Sequence, residues 1–323
     1  MRVLLAILLV AMSASSAYAT FSIVAIDPVN GDLGVAVASR VFGVGNHVPW
    51  AEAGVGAIAT QASMNASYGP RGLELLKQGL TAQQVADRLL AEDTYERKEG
   101  RQFAIVDAKG NIAVYTGPGA NDWKGHIKGA TFTAQGNILA GPQVVKAMAE
   151  AFESTKGELA ERLLAALKAG DDAGGDSRGH QSASILVVRK GGGSSIANDR
   201  LVYINVDDHP DPIFELAREL PLQFAMSYGG KRSALLRAGK VKEAYEIAEK
   251  LARWVPRNPA NHMQVGLLAY LNGDKNRSLE AFRKARELDL RFKATWDAAV
   301  AGQDASFYKK IVDDREFVAK ILQ

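Results

Sequence analysis

From residue 20 onward the chain is written in two alternating dialects, one of period two and one of helical period. Residues 21–26 and 33–39 are apolar runs with small residues interleaved, separated by Asp27-Pro28-Val29-Asn30-Gly31-Asp32, and the pattern predicts a β-hairpin. A third strand is predicted over residues 54–60, whose Ala, Gly and Val content suits a strand covered on both faces. Helices follow over 70–78 and 81–91, then a second hairpin over 101–107 and 112–116. A strand over 131–139 leads to a helix over 142–152, with Pro142 in its first turn, and to another over 158–169. A Gly/Asp-rich loop and strands over 182–189 and 201–205 complete this part. The order is hairpins and helix pairs, not alternating βαβ units, which predicts an α+β class with two antiparallel sheets and helices outside them.

After Asp211 the pattern becomes almost wholly helical. Gly239, Ala244, Ala248 and Pro256 recur 34 residues later as Gly273, Ser278, Phe282 and Leu290. That period fits tetratricopeptide-like repeats, with Trp296 opening a third unit, although Leu290 stands where proline is usual. Two readings stay open: a repeat module offering a concave face to a protein or peptide partner, or a plain stack of helical hairpins capping the body. In the first, the helices are expected to stack on one another more than on the sheets, so that residues 229–323 can be removed. Charge marks the same change. Of 39 Lys and Arg and 36 Asp and Glu, 19 and 12 lie from Met226 onward, so the tail carries +7 and the remainder −4. The expected organisation is residues 1–19, 20–225 and 226–323.

Composition narrows the chemistry. With 323 residues, 47% hydrophobic and no cysteine, the chain is a globular one of about two domains, without a disulfide framework, thiol nucleophile or cysteine zinc site. Its five histidines are scattered and lack the spacing that places two on one helix face, so neither a metal nor another cofactor is expected. A net charge of +3 gives no reason to expect nucleic acid. Residues 1–19 read as a signal peptide: cationic Arg2, an apolar run, then Ala17-Tyr18-Ala19 as an A-x-A cleavage site. The apolar run is about ten residues, short of the roughly 20 that span a membrane. The mature protein is therefore expected to be periplasmic or secreted, with no membrane span.

Cleavage after Ala19 makes Thr20 the first residue. An N-terminal threonine combines a nucleophile with its own base, because an α-amine titrates at about 7.7–8.0 and can take the hydroxyl proton near neutral pH. A cut after Ala17 would instead leave Tyr18 and Ala19 in front of Thr20 and block that amine.

The residues around Thr20 carry a resemblance. Thr20-Phe21-Ser22-Ile23-Val24-Ala25, Gly34-Val35-Ala36-Val37-Ala38-Ser39-Arg40, Val48-Pro49-Trp50-Ala51-Glu52-Ala53-Gly54-Val55-Gly56 and Ala59-Thr60-Gln61-Ala62 resemble a bacterial family known as domain of unknown function 1028. Tyr68-Gly69-Pro70-Arg71-Gly72, Gln135-Gly136-Asn137-Ile138-Leu139-Ala140-Gly141 and the stretch from Gly174 to Ala183 extend the likeness to about Asp211. The resemblance implies an N-terminal-nucleophile (Ntn) hydrolase-like fold, a four-layer αββα sandwich, here followed by the all-α tail. The first hairpin also looks like that of proteasome β-subunits. Ala38 stands where those carry a catalytic aspartate, however, and no lysine lies between Thr20 and Lys77 to tune the nucleophile.

Within that expectation Thr20 attacks a carbonyl and an oxyanion hole stabilises the intermediate. The fold implied brings the end of the third strand beside the nucleophile, so Thr60-Gln61-Ala62, through backbone or the Gln61 side chain, are the first candidates for the hole. The neutral amide of Asn137 is the second. Arg40 could hold a substrate carboxylate or orient an acid near the amine, or simply form an ion pair with Glu52 or Asp176. His47 and Glu52 fall roughly where the proteasome lysine would lie. Asp171, Asp172 and Asp176 lack calcium-loop spacing, and Gly191-Gly192-Gly193 lacks the residues of a phosphate loop. Two functions are expected: an exported N-terminal threonine hydrolase cleaving an amide in a small peptide, acyl-amino compound or cell-wall fragment, or a silent scaffold whose tail binds a protein or peptide.

Overall fold

The computed structural model describes residues 20–195, 197–302 and 304–323; the predicted signal peptide lies outside the described residues. Strands β1 (Thr20–Asp27) and β2 (Asp32–Ser39) form the first hairpin, in a register that sets Thr20 opposite Ser39 and Asp27 opposite Asp32. Its turn is closed by Gly31 at a φ of 76°, which glycine adopts without a Cβ penalty. Then come β3 (Pro49–Glu52), β4 (Gly56–Ala62), α1 (Tyr68–Lys77), α2 (Ala82–Glu92), β5 (Arg101–Asp107) and β6 (Ile112–Thr116). They are followed by β7 (Gly125–Lys128), β8 (Phe132–Asn137), α3 (Pro142–Ser154), α4 (Leu159–Asp172), β9 (Ser182–Val188) and β10 (Arg200–Val206).

One sheet has the order β10-β9-β2-β1-β8-β7 and the other β3-β4-β5-β6, with antiparallel neighbours throughout. The sequence pattern misses β3 and β7. Each has only four residues and lies at a sheet edge, where a strand covered on one side needs no sustained apolar run.

Side-chain alternation distributes the core. Inward residues Val24, Val35 and Val37 of one sheet share a buried cluster with Ala57, Ala59, Ala104 and Val106 of the other. On the far face of the six-stranded sheet Phe21, Ile23 and Ile185 pack with Met148 and Phe152 of α3 and Leu163 and Leu167 of α4. On the far face of the four-stranded sheet Ile58, Phe103 and Ile105 pack with Leu73 and Leu76 of α1 and Val85 and Leu89 of α2.

The rest is helical: α5 (Pro212–Arg237), α6 (Val241–Trp254), α7 (Pro259–Leu271), α8 (Lys275–Leu288), α9 (Phe292–Ala301), α10 (Ala305–Asp313) and α11 (Arg315–Leu322). Helix α5 runs unbroken for 26 residues through positions 225 and 226, where the sequence suggests a boundary. The expectation that the tail stacks mainly on itself is corrected at its first two helices. Phe224, Tyr228, Ile247, Leu251 and Trp254 belong to the same buried cluster as α3, α4 and the six-stranded sheet, and Trp254 stacks on Phe224 with ring centroids 4.2 Å apart.

Ions reinforce that junction. Arg189, just past β9, grips Asp32 through two hydrogen bonds of 2.6 Å, while Glu158 accepts from Tyr228 Oη (2.7 Å), Lys250 Nζ (2.6 Å) and Arg189 (3.2 Å). Burial pushes Asp32 up despite Arg189; at Glu158 the same burial is outweighed by Lys250 and Tyr228, and its carboxyl lies below the usual range. Among the described residues no helix is long and apolar enough to cross a membrane.

Candidate functional site

Thr20, Ser22 and Val24 share one face of β1, the face toward the second sheet. The registers set Asn137, Thr20, Ser39 and Ser182 side by side across β8, β1, β2 and β9. The next row is Gln135, Ser22, Val37 and Ser184, and the next Thr133, Val24, Val35 and Leu186. The space between the sheets therefore grades from apolar to polar toward the start of β1, and every polar residue in these rows is buried. A buried polar cluster must be hydrogen-bonded or be kept for a use.

Most of this one is bonded. The Thr20 and Ser39 hydroxyls share a hydrogen bond of 3.1 Å. Ser22 Oγ donates to Gln61 Oε1 (2.6 Å) and accepts from Gln135 Nε2 (2.7 Å). Gln61 Nε2 donates to the Thr20 carbonyl (3.2 Å) and to Gln102 Oε1 (2.8 Å). Gln102 fixes the polarity of the whole. Its Nε2 faces the carbonyls of Gly125 (3.2 Å) and Gly136 (2.9 Å), which can only accept, and also Thr116 Oγ1 (2.9 Å). Its Oε1 must then face the amide nitrogens of Gln61 and Asn137, the latter at 3.1 Å. Asn137 is thereby turned with Nδ2 inward, leaving its Oδ1 buried and without a hydrogen-bond partner.

Two cavities flank the start of β1. One of about 220 Å³ is lined by Thr20, Gln61, Met64 and the segment after β2 that carries Val41, Phe42, Val44, His47 and Val48. Phe42 stands 67% exposed there, an unusual position for a large apolar side chain. The other, about 540 Å³, is lined by Ala62, Ser63, Asn137, Asn121 and the segment bearing Tyr95, Arg97 and Glu99. That segment is pinned at both ends. Arg101 donates to Asp93 at 2.9 Å and to the Ser63 carbonyl, its guanidinium lies 4.6 Å from the Tyr95 ring centroid, and Tyr68 Oη donates to Asp93 at 2.7 Å. Burial alone would raise Asp93; the hydrogen bonds from Arg101, Tyr68 and the Tyr95 N–H outweigh it and hold the carboxyl at about 2.

Of the residues predicted from sequence, Thr20, Gln61 and Asn137 are brought together. Both Gln61 amide N–H groups are engaged, so this side chain holds the Thr20 carbonyl and has none left over for an oxyanion. Asn137 offers an acceptor where a donor is expected. Arg40 is exposed at the end of β2; its guanidinium donates to the Arg178 carbonyl, and its backbone N–H, not its cation, bonds Asp176 (2.9 Å). Asp176 takes its cation from Arg178 (2.9 Å). Glu52 pairs with Lys77 at 2.7 Å, and His47 joins the wall of the smaller cavity. Among the described residues no three His, Asp or Glu side chains gather as metal ligands.

Sequence reasoning missed Ser39, Gln102 and the loop with Arg97. Ser39 was computable: a hairpin turning between Asp27 and Asp32 places the residue seven positions outside each opposite the other, and these are Thr20 and Ser39. Nothing local signals Gln102 or Arg97.

The model of a family of unknown function, DUF1028, matches residues 20–216, beginning at Thr20 and ending within α5. Among solved structures, the crystal structure of protein SPO2555 from Silicibacter pomeroyi, matched by the same family, is 33% identical with a TM-score of 0.57, covering 64% of this chain and 86% of that one. No curated protein matches.

Proposed function

Since the chain belongs to this family of unknown function, DUF1028, we propose that it is an exported N-terminal threonine hydrolase that cleaves amide bonds, built on an Ntn-like four-layer αββα sandwich. The observation that carries the reading is the polar row Asn137, Thr20, Ser39 and Ser182, with Thr20 opening an interior strand beside a cavity of about 220 Å³. The helix pairs on the outer faces of both sheets support the layer order, and a family match that starts at Thr20 supports that residue as the first of the active chain.

Removal of residues 1–19 frees the Thr20 amine. The amine takes the hydroxyl proton as Oγ attacks the carbonyl, Ser39 holds that hydroxyl, and the amine returns the proton to the leaving nitrogen; a water, deprotonated by the same amine, then cleaves the resulting ester, releasing the acid and restoring the Thr20 hydroxyl. With the Gln61 amide engaged, the donor for the oxyanion falls to backbone at the end of β4, where Ala62 takes a left-handed φ of 64°, costly for a residue with a Cβ. The α6 and α8 helices begin 34 residues apart, at Val241 and Lys275, which supports a repeat-like tail able to bind a peptide or protein.

A second reading, the silent scaffold, draws on one observation: Thr20 has no exposed surface. The test is a protein made to begin at Thr20, assayed on a library of acyl amides beside Thr20→Ala, Thr20→Ser and a form with one extra N-terminal residue. Activity in the first, loss in Thr20→Ala, partial retention in Thr20→Ser and a drop of about 10²–10⁴-fold with the extra residue are expected. Mass spectrometry showing an exported chain that starts at Tyr18 or Phe21 would end the proposal.

A further inference from the structure

Another cavity, of about 460 Å³, lies between α4 and α5, with Trp254 of α6 at one end, and shares no lining residue with the two beside the start of β1. Its walls are apolar: Leu164 and Ala165 of α4, Ala217, Leu220 and Pro221 of α5. Phe214, also lining it, is 61% exposed, so the groove is open to solvent. At the Trp254 end Glu161 is already answered, by Trp254 Nε1 at 2.9 Å and Arg253 at 3.6 Å. The other end, about 15 Å further along α4, gathers Asp171, Asp172 and Asp211. A helix C-terminus favours a cation, yet the last turn of α4 holds two of these carboxylates and no basic residue. Lys168, one turn back, reaches Asp172 at 3.1 Å, while Asp171 Oδ1 lies 2.9 Å from His180 Nε2 without a hydrogen bond. Burial pushes the Asp171 carboxyl up, His180 opposes the rise, and Asp211 and Asp172 add to it, so negative charge is crowded there. Pro221 contributes one more acceptor. It has no N–H, so the Ala217 carbonyl four residues earlier lacks its helical donor, and both residues line the groove.

We propose that this cavity binds a small amphiphilic amine, its ammonium group among Asp171, Asp172 and Asp211 and its apolar body lying along Leu164, Ala165 and Pro221 toward Trp254. An ammonium carries three donors and no acceptor, the complement of a wall that offers carboxylates and an open carbonyl. A carboxylate or phosphate in the same place would meet like charge, and a neutral ligand would leave the crowded acids uncompensated. The volume lies within the range of small-molecule sites, and the apolar walls with a few polar groups at one end are their usual composition. The inference stands apart from the hydrolase reading, since no step at Thr20 enters it.

Affinities are read by calorimetry in a chain beginning at residue 20. The probes are 4-phenylbutylamine, 4-phenylbutanol and 4-phenylbutyrate, which share an apolar body and differ in the charge at its end. The amine is expected to bind at least about tenfold more tightly than the alcohol, with the carboxylate weakest. Asp171→Asn combined with Asp172→Asn should erase the preference for the amine without changing the alcohol's own affinity. Asp172→Asn alone, at a side chain 66% exposed, should lower that preference at least about threefold and serves if the double variant does not fold. Ala165→Trp, which fills the groove from a partly exposed position, should abolish binding of both amine and alcohol, with matched melting curves verifying its fold. Equal affinity for amine and alcohol, or no binding by either, overturns the inference. So does an amine preference that survives both neutralising variants, or undiminished binding by Ala165→Trp, which would place the amine elsewhere on the molecule.

Discussion

Gln102→Met tests whether one side chain sets the polarity of the site. Gln102 is fully buried and engages five partners: it donates toward Thr116, Gly125 and Gly136, and accepts from Gln61 and Asn137. Methionine keeps the length and removes every polar atom. One N–H of Gln61 and one of Asn137 are then stranded between the sheets, at about 1–3 kcal/mol each, for a loss of about 2–6 kcal/mol. With about 2–4 °C per kcal/mol for a chain of this class, a central value of about 4 kcal/mol lowers the melting midpoint by about 8–16 °C. Denaturant unfolding of wild type, Gln102→Met, Asn137→Ala and the double variant supplies the coupling. Because the two residues share a hydrogen bond, the double loss should fall short of the sum by about 0.5 kcal/mol or more. A midpoint within about 2 °C of wild type would show that the amides re-pair without Gln102 and that the assignment of Asn137 Oδ1 as an open acceptor is wrong.

Further outcomes follow from the same structure. Trp254→Ala, at a side chain stacked on Phe224 and donating to Glu161 at 2.9 Å, should cost about 3–5 kcal/mol and destabilise body and tail in one calorimetric transition; a separate, unshifted body transition would refute the coupling. For the same reason a chain truncated before residue 229 should aggregate, as light scattering would report. Asp93 is held at about 2 by Arg101 and Tyr68, below the ordinary 3.8, so it stabilises the fold above that ordinary value and loses its contribution as pH falls toward 2. The stability gap between wild type and Asp93→Asn in urea should accordingly be full at about pH 6 and closed near pH 2; a constant gap would count against the ion pair. Gly69→Ala would set a methyl 2.2 Å from the Trp50 ring and should cost about 1–3 kcal/mol by thermal melting.

What was legible in the sequence was what depends on neighbours along the chain. The hairpin of β1 and β2 is written in strong alternation around one turn, and the β5–β6 bounds come out as predicted because a single tight connection fixes both strands. Edge strands β3 and β7, with four residues each, carry too little pattern to announce themselves. The site divides along the same line. Thr20 stands out through its place after Ala19, and Ser39 follows from hairpin register, whereas Asn137 reaches Thr20 by a ladder between strands more than a hundred residues apart. Gln102 is one glutamine between Arg101 and an apolar run, and only the approach of the second sheet gives it five partners. The tail was legible as helices, but not in its attachment: the cluster joining Asp32, Glu158, Arg189, Tyr228 and Lys250 draws on segments no local pattern connects.

The place of β1 in its sheet has a consequence for how a chain starting at Thr20 would behave. Chain ends ordinarily fray, because their first residues are held on one side or not at all. Here the first strand is interior, with β2 on one flank and β8 on the other, and its opening residue is matched with Ser39 and Asn137. A newly made amino group at that position would be born immobile, its rotational freedom already surrendered when the sheet formed. The ordering that a reacting group must otherwise undergo on meeting its substrate would be complete before any substrate arrives, the entropic advantage that fixed catalytic groups hold over freely moving ones.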